Sequence, residues 1–223
     1  MKNRLIVKIA KIFQAFTYWP IYLTLRFFVR FEIHGQEHIR GLENGPIIFA
    51  SNHANFLDSP INAAIMPRCK GDSYPKRFFP IRFLAHTKFF KFRYLLIAFY
   101  VWINGSIKIQ SKTGKDLSIV LGEAVNALKN NNHIWIYPEG KITKDGQFEK
   151  GKRGIAYLHE QTNAPIVPVF IKGTFGILSF KTLLCTKKVM AIIGEPIYSL
   201  EGLSLEQITD RVMLEISKLS KRF

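Results

Sequence analysis

The chain has 223 residues, 48% hydrophobic, 13% aromatic and 22% charged, with 32 Lys+Arg against 16 Asp+Glu. That length suits one ordinary domain with a real core, and 19 Phe residues exclude an intrinsically disordered polypeptide, which is poor in aromatics. A formal charge of +16 specifies no fold, but it implies a polyanionic neighbour: nucleic acid, an anionic membrane surface, or an acidic substrate or carrier protein.

The first thirty residues, MKNRLIVKIAKIFQAFTYWPIYLTLRFFVR, open like a signal peptide. Lys8 and Lys11 interrupt the would-be apolar core and no small-x-small cleavage site follows, so the segment is read as retained. Arg26 and Arg30 deny it the roughly 18 uninterrupted apolar residues that a spanning helix needs. Arg4, Lys8 and Lys11 recur on one helical stripe, with Leu5, Ile9, Ile12, Phe16 and Trp19 on the other face, and Pro20 is expected to break or restart the helix. No acidic residue occurs through Phe31. Residues 1–31 are therefore expected to form an amphipathic two-helix hairpin lying on a membrane surface; the plainer alternative is a helix packed on its own domain.

From residue 32 onward, short β-like runs alternate with helical patterns, the signature of a single α/β domain over 32–223 with a mostly parallel or mixed central sheet flanked by helices. Strands are expected at Pro46–Ala50, Ile81–Ala85, Ser106–Ile109, His133–Tyr137, Ile166–Ile171 and Lys188–Ile193, mostly buried on both faces because they scarcely alternate. Helices fit at about 58–66, 88–99, 115–130, 151–162 and 204–220, with capping signatures at Thr113/Asp116 and Ser204/Gln207. Cys69 and Cys185 lie far apart without a CxxC or a companion His, which points to neither a disulfide framework nor a zinc site.

Two constellations carry chemistry. Ser51-Asn52-His53-Ala54-Asn55-Phe56-Leu57-Asp58 follows a buried strand, where open α/β sheets place their ligands. On one continuous helix, five residues turn through roughly 500° and would hold His53 and Asp58 apart. The two can meet only if His53 sits in the turn and Asp58 opens the next helix. The carboxylate would then fix one imidazole nitrogen and leave the other as a general base. No nucleophile elbow occurs, so the base would activate a substrate hydroxyl. A His-x4-Asp also arises by chance, as a loop His and a helix-capping Asp. The second constellation, Ile134-Trp135-Ile136-Tyr137-Pro138-Glu139-Gly140-Lys141, runs a buried strand into a turn trailed by Lys144, Lys150, Lys152 and Arg153. Lysines and backbone amides there can hold a phosphate, or the segment is an ordinary Gly turn with a solvated basic loop.

Taken in order, NHANFLD, Gly105-Ser106-Ile107-Lys108-Ile109, Tyr137-Pro138-Glu139-Gly140 and Ala164-Pro165-Ile166-Val167-Pro168-Val169 resemble the four blocks of the glycerolipid acyltransferase family, whose best-known members are the 1-acylglycerol-3-phosphate acyltransferases. The resemblance covers roughly residues 33–196. It implies that His53 is the base that deprotonates the acceptor hydroxyl and Asp58 its orienting partner. It implies also that Glu139 and Gly140 belong to the acceptor site, and that Pro168 belongs to a block shaping the pocket behind the catalytic turn. The family commonly adds an N-terminal two-helix membrane motif, which residues 4–31 look like. Two departures matter: Ser111 and Lys112 stand where the second block commonly ends in Arg, and Lys141 and Ile142 where the third commonly reads Thr-Arg. Lys112 and Lys141 could supply point charges for an acceptor phosphate, without the bidentate fork of Arg.

The expected activity is O-acyl transfer from acyl-CoA or an acidic acyl carrier protein to a lysophospholipid, by a monotopic enzyme on the cytoplasmic face of the inner membrane, with no metal or redox cofactor. A non-phosphate acceptor such as a lyso-aminolipid stays open. So does a non-catalytic lipid- or nucleic-acid-binding protein on the same scaffold. Between Arg68 and Arg93, eight basic residues against one acidic interleave with phenylalanines, a mixture that suits an anionic bilayer, an acyl chain with a phosphorylated carrier, an acidic acyl carrier protein or single-stranded nucleic acid. Nucleic acid fits less well, because RNP, KH and zinc-finger signatures are absent. A metal-dependent hydrolase built from His34, His38, His53 and Asp58 fits least.

Overall fold

The computed structural model describes residues 2–90, 95–110, 116–143, 147–174 and 187–222. In chain order the elements are α1 (Lys2–Phe28), β1 (Arg30–His34), β2 (Ile48–Ser51), α2 (Asp58–Ala64), β3 (Ile81–His86), α3 (Leu95–Ile103), β4 (Ile107–Ile109), α4 (Leu117–Lys129), β5 (His133–Ile136), α5 (Gly154–Thr162), β6 (Ile166–Lys172), β7 (Lys188–Ile193) and α6 (Leu205–Ser220), with short 3₁₀ turns at Gln36–Ile39 and Thr87–Phe90. The seven strands among the described residues form one sheet in the order β1-β7-β6-β2-β5-β3-β4. Neighbours run parallel except β6 and β7, so β1 and β7 oppose the other five and the sheet is mixed. The α/β expectation holds, with helices on both faces.

Strand alternation divides the core. Phe49, Trp135, Phe83, Val167 and Val169 face one side, where they join Tyr18, Leu25 and Val29 from α1 or its end and Ile61 and Ala64 of α2. Ile48, Ala50, Ile134, Ile136 and Ile166 face the other, beneath Leu121 and Leu128 of α4, Ile155 and Leu158 of α5, and Ile208, Val212 and Ile216 of α6. Apolar residues at consecutive strand positions are required because both faces are covered. At the centre Phe49 and Trp135, opposed in the β2/β5 register, stack at 5.1 Å.

The N-terminal segment departs from expectation. It is one helix, not a hairpin, and Pro20 lies inside it. A proline removes one helical hydrogen bond. Tyr18 before Pro20 and Leu25 and Val29 after it are all buried against the same core, which holds the helix on both sides of the defect. Residues 30 and 31, assigned above to the hairpin, instead begin β1, which pairs with β7. Gln14 locks the helix to the sheet: its side chain accepts from Ile81 N at 2.9 Å and donates to Ile81 O at 2.8 Å. Among the described residues, no helix is long and apolar enough to cross a membrane.

Smaller corrections concern helix ends. The region expected as one helix over 88–99 contains the Thr87–Phe90 turn and, later, α3. At the start of α4, Asp116 is itself the N-cap, accepting from Ser118 N at 2.8 Å, while Thr113 lies outside the described residues. Ser204 and Gln207 form the expected capping box on α6.

Candidate active site

The turn after β2 is fixed by its own polar side chains. Ser51 Oγ accepts the buried Trp135 indole N–H at 2.9 Å and donates to Asn52 O at 3.0 Å. The Asn52 amide then imitates a strand residue: it donates to Ile171 O at 2.9 Å and accepts from Ile171 N at 2.8 Å, prolonging the β2/β6 pairing by one step. Asn55 Oδ1 accepts from Leu57 N at 3.0 Å, an Asx turn that feeds the chain into α2.

His53 therefore lies in the turn and Asp58 opens α2. His53 Nδ1 donates to Asp58 Oδ2 at 2.9 Å, and the same oxygen accepts from Ala54 N at 2.7 Å and Asn55 N at 2.9 Å. The carboxylate is 1% exposed. Because an ionised carboxylate only accepts, the Nδ1–H tautomer follows, and Nε2 is left with its lone pair and no hydrogen bond among the described residues. One carboxylate oxygen thus folds the turn and orients the imidazole, and the two purposes cannot be separated by simple deletion.

The third block closes over this turn. Thr143 N donates to His53 O at 2.8 Å, joining the two loops through the backbone. Tyr137 stacks on the His53 ring with centroids 3.8 Å apart and planes 11° from parallel. Its hydroxyl accepts from Asn62 Nδ2 at 3.0 Å and lies 3.4 Å from Ser59 Oγ, so α2 holds both ends of the stack. Burial, reinforced by the nearby Asp58 charge, pushes the Tyr137 phenol well above its ordinary pKa and keeps it neutral. Tyr137, Asn62 and Asn52 were not singled out from sequence; a tyrosine directly before Pro-Glu-Gly was the one visible signal.

Glu139 is buried, with Oε2 accepting from Glu149 N at 3.3 Å. Burial raises its carboxyl above the usual carboxylate range, partly countered by that hydrogen bond and by His53 and Lys141. Gly140 has φ +70°, and a Cβ there would sit 2.7 Å from Lys152 Nζ, so the glycine gives both the turn and the room for the lysine lying across it. Lys141 reaches outward to Glu149 at 2.7 Å. Lys112 lies outside the described residues. Pro168 is in β6 opposite Ala50, its ring beside Gly194 and facing the α6 side, so it supports the strand that carries the turn and is not among the groups around His53. His34 and His38 do not join His53: β7 and β6 lie between β1 and β2, and His38 Nδ1 donates to Ile193 O at 2.9 Å. Among the described residues no three His, Cys, Asp or Glu side chains gather in a metal-binding group.

Residues 30–172 match the model of the family described as Acyltransferase. The chain belongs to that family. Both β2 with its His53 turn and β5 with Tyr137 to Gly140 fall inside the matched span. This acyltransferase-family chain is 25% identical over 192 residues to the 1-acyl-sn-glycerol-3-phosphate acyltransferase BAT2, chloroplastic, of Brassica napus, covering 85% of this chain and 49% of that protein. It is 29% identical over 164 residues to the human 1-acyl-sn-glycerol-3-phosphate acyltransferase beta, covering 72% and 50%. The chain thus spans about half the length of these curated relatives. Its fold is similar to the crystal structure of the 1-acyl-sn-glycerophosphate acyltransferase PlsC from Thermotoga maritima, with a TM-score of 0.66 and 18% identity over 100% of this chain and 98% of that one.

Proposed function

We propose that this protein transfers a fatty acyl group from an acyl thioester to the free hydroxyl of a lysophospholipid, with 1-acylglycerol-3-phosphate as acceptor and phosphatidic acid as product. The observation that carries the proposal is the His53–Asp58 pair, with Nδ1 tied to a buried carboxylate and Nε2 left unbonded. The names of the related proteins support the acceptor. The acceptor oxygen attacks the thioester carbonyl carbon as its proton passes to His53 Nε2, and the imidazolium formed is held by Asp58. Collapse of the tetrahedral adduct breaks the C–S bond, and the proton returns from Nε2 to the departing thiolate. The scheme asks for no metal or redox group, only acyl-CoA or acyl carrier protein as co-substrate.

For the acceptor phosphate, Lys152 is the better-placed cation beside the third block. Lys141 is already engaged by Glu149, whereas Lys152 lies over Gly140 with no carboxylate at ion-pair distance among the described residues. Lys112 stays a candidate on the strength of the resemblance alone.

The same protein would work as a peripheral enzyme on a membrane surface. α1 presents two apolar stripes: one is buried, and Leu5, Ile12, Phe16, Leu23 and Phe27 are exposed on the opposite side, with Phe16 at 78%. Steps of seven and four residues at about 100° each keep those five in line. Arg4, Lys8 and Lys11 are also exposed, which suits an anionic headgroup layer. The deciding experiment is a thiol-release assay with acyl-CoA and acyl carrier protein against a panel of lyso-acceptors. Release that needs 1-acylglycerol-3-phosphate and disappears in His53→Ala is expected; release with no acceptor in the panel refutes the proposal.

A further inference from the structure

α3 is unusual in that none of its residues is buried. Its sequence, Leu-Leu-Ile-Ala-Phe-Tyr-Val-Trp-Ile, contains no polar group except the Tyr100 hydroxyl and the Trp102 indole N–H, yet Leu95, Leu96, Phe99 and Trp102 are exposed, Leu96 at 84%. A soluble domain normally turns such a helix inward. α3 packs one flank against α1 and the Thr87–Phe90 turn, with Phe13 of α1 edge-on to Tyr100 at 6.2 Å.

Two observations continue this apolar surface to the reaction site and indicate what covers it. First, exposed Phe56, three residues past His53, meets Phe89 of the Thr87–Phe90 turn edge-on at 5.9 Å, and that turn contacts α3. Apolar side chains therefore run from the catalytic turn through Phe89 and α3 to α1. Second, the chain segments that supply α1 and α3 carry charge of one sign. No Asp or Glu occurs before Glu32, and none between Asp72 and Asp116. At the rim of the apolar surface, Lys88 Nζ stands 4.9 Å over the Phe89 ring and Lys108 Nζ 5.7 Å over the Phe90 ring, while Trp102 lies in the last turn of the helix. Cations seated on aromatic rings beside bare Leu, Ile and Phe match the headgroup and acyl zones of an anionic bilayer. A second protein copy would have to bring acidic residues to such a rim, and this chain has few.

We propose that α3, together with Phe56 and Phe89, is the second half of a lipid-contacting surface whose first half is the exposed stripe of α1, and that it seats the His53 turn against the facing leaflet of an anionic bilayer. The inference rests on the reading of α1 as a surface anchor. It differs from the expected N-terminal hairpin in drawing the second membrane helix from the middle of the chain.

The test is partitioning of the full-length protein onto vesicles of phosphatidylcholine with phosphatidylglycerol, a measurement that does not depend on catalysis. Leu96→Glu/Phe99→Glu should lower the partition coefficient at least about tenfold, as should Ile12→Glu/Phe16→Glu on α1. All four side chains are solvent-facing, and unchanged thermal melting would verify the fold. Brominated acyl chains should quench Trp102, with the quenching lost in Trp102→Phe. If only the α3 variant keeps wild-type partitioning and Trp102 is not quenched, the inference falls while the α1 anchor stands; if both variants partition normally, the anchor falls as well. A dimer in light scattering that Leu96→Glu/Phe99→Glu dissociates would assign the face to a second copy and overturn the lipid assignment.

Discussion

Replacing Asp58 by Asn tests the proposed chemistry more sharply than deleting the histidine, because it removes one charge and almost no volume. The carboxylate oxygen Oδ2 accepts three hydrogen bonds, from His53 Nδ1, Ala54 N and Asn55 N, at 2.7 to 2.9 Å. An Asn carbonyl in the same position can still accept them, so the turn should persist. Bonds to a charged acceptor contribute about 1.5–3 kcal/mol and neutral ones about 0.5–1.5, so the loss is roughly 1 kcal/mol per bond in the ground state. In the transition state His53 is becoming an imidazolium, and the neutral amide no longer offsets its charge in a site where the partner is 1% exposed. The ground-state loss lowers fold stability and leaves kcat alone; only the uncompensated imidazolium raises the barrier, and the 10²–10⁴-fold fall in kcat expected for a His–Asp pair corresponds to about 3–6 kcal/mol at about 1.4 kcal/mol per decade.

The decisive form is a double-mutant cycle. His53→Ala should cost about 10²–10⁴-fold by itself. Because Asp58 acts through His53, the double variant His53→Ala/Asp58→Asn should be no slower than His53→Ala. Single-turnover thiol release from acyl-CoA or acyl carrier protein, at saturating acceptor and with matched circular dichroism, reads all four corners. A folded Asp58→Asn protein retaining more than about a tenth of its rate would refute orientation by this carboxylate, and losses that multiply in the double variant would refute its acting through the imidazole.

Lys152→Ala should raise KM for 1-acylglycerol-3-phosphate about tenfold or more with kcat little changed, and more than Lys141→Ala does; equal effects would return Lys152 to solvent. Glu139→Gln should raise the melting temperature at neutral pH while impairing acceptor use. Burial lifts this carboxyl above its unfolded value, so its charged form opposes folding and stability falls as pH rises through that range, which makes a lower melting temperature in Glu139→Gln the contrary result. Gln14→Ala leaves Ile81 N–H and C=O without their side-chain partner and should cost about 2–4 kcal/mol, a melting shift on the order of 4–16 °C; a shift under 1 °C would mean water replaces the amide. His133 is held neutral by burial, its pKa below the ordinary value, and Nε2 donates to Arg77 O at 3.1 Å. Stability should therefore decline as pH falls below about 6.5, by up to about 1.4 kcal/mol per unit, and His133→Phe should flatten that slope.

Much of the architecture was legible because buried strands in a covered sheet announce themselves: six of the seven strands are short apolar runs ending in turn residues. β1 was not, since Glu32 and His34 interrupt its apolar pattern and its first residues follow directly on a helix. The proline misled for a related reason. Local chemistry says that Pro20 ends a helix, but Tyr18, Leu25 and Val29 gain enough from the core to carry α1 past it. At the site, His53 and Asp58 were legible through spacing after a strand. Tyr137, Asn62 and Asn52 were not, because each acts on a partner 75 to 119 residues away that no local pattern marks.

Those long-range partners decide how binding and chemistry are joined. Asp58, Ser59 and Asn62 all belong to the seven-residue helix α2, which packs directly against α1. The first orients His53 from one side; the other two hold the tyrosine that stacks on its face. Thr143 fixes the backbone of the same histidine from the third block. The exposed stripe of α1 and the His53 imidazole are thus parts of one packed body, linked through the short helix α2. A lipid surface that fixes the orientation of α1 would by the same contact fix the height of His53 above it. An acceptor whose acyl chain stays in the bilayer would then need to rise only far enough to bring its hydroxyl to Nε2, and the entropy of positioning it would be met by docking rather than by the active-site groups themselves.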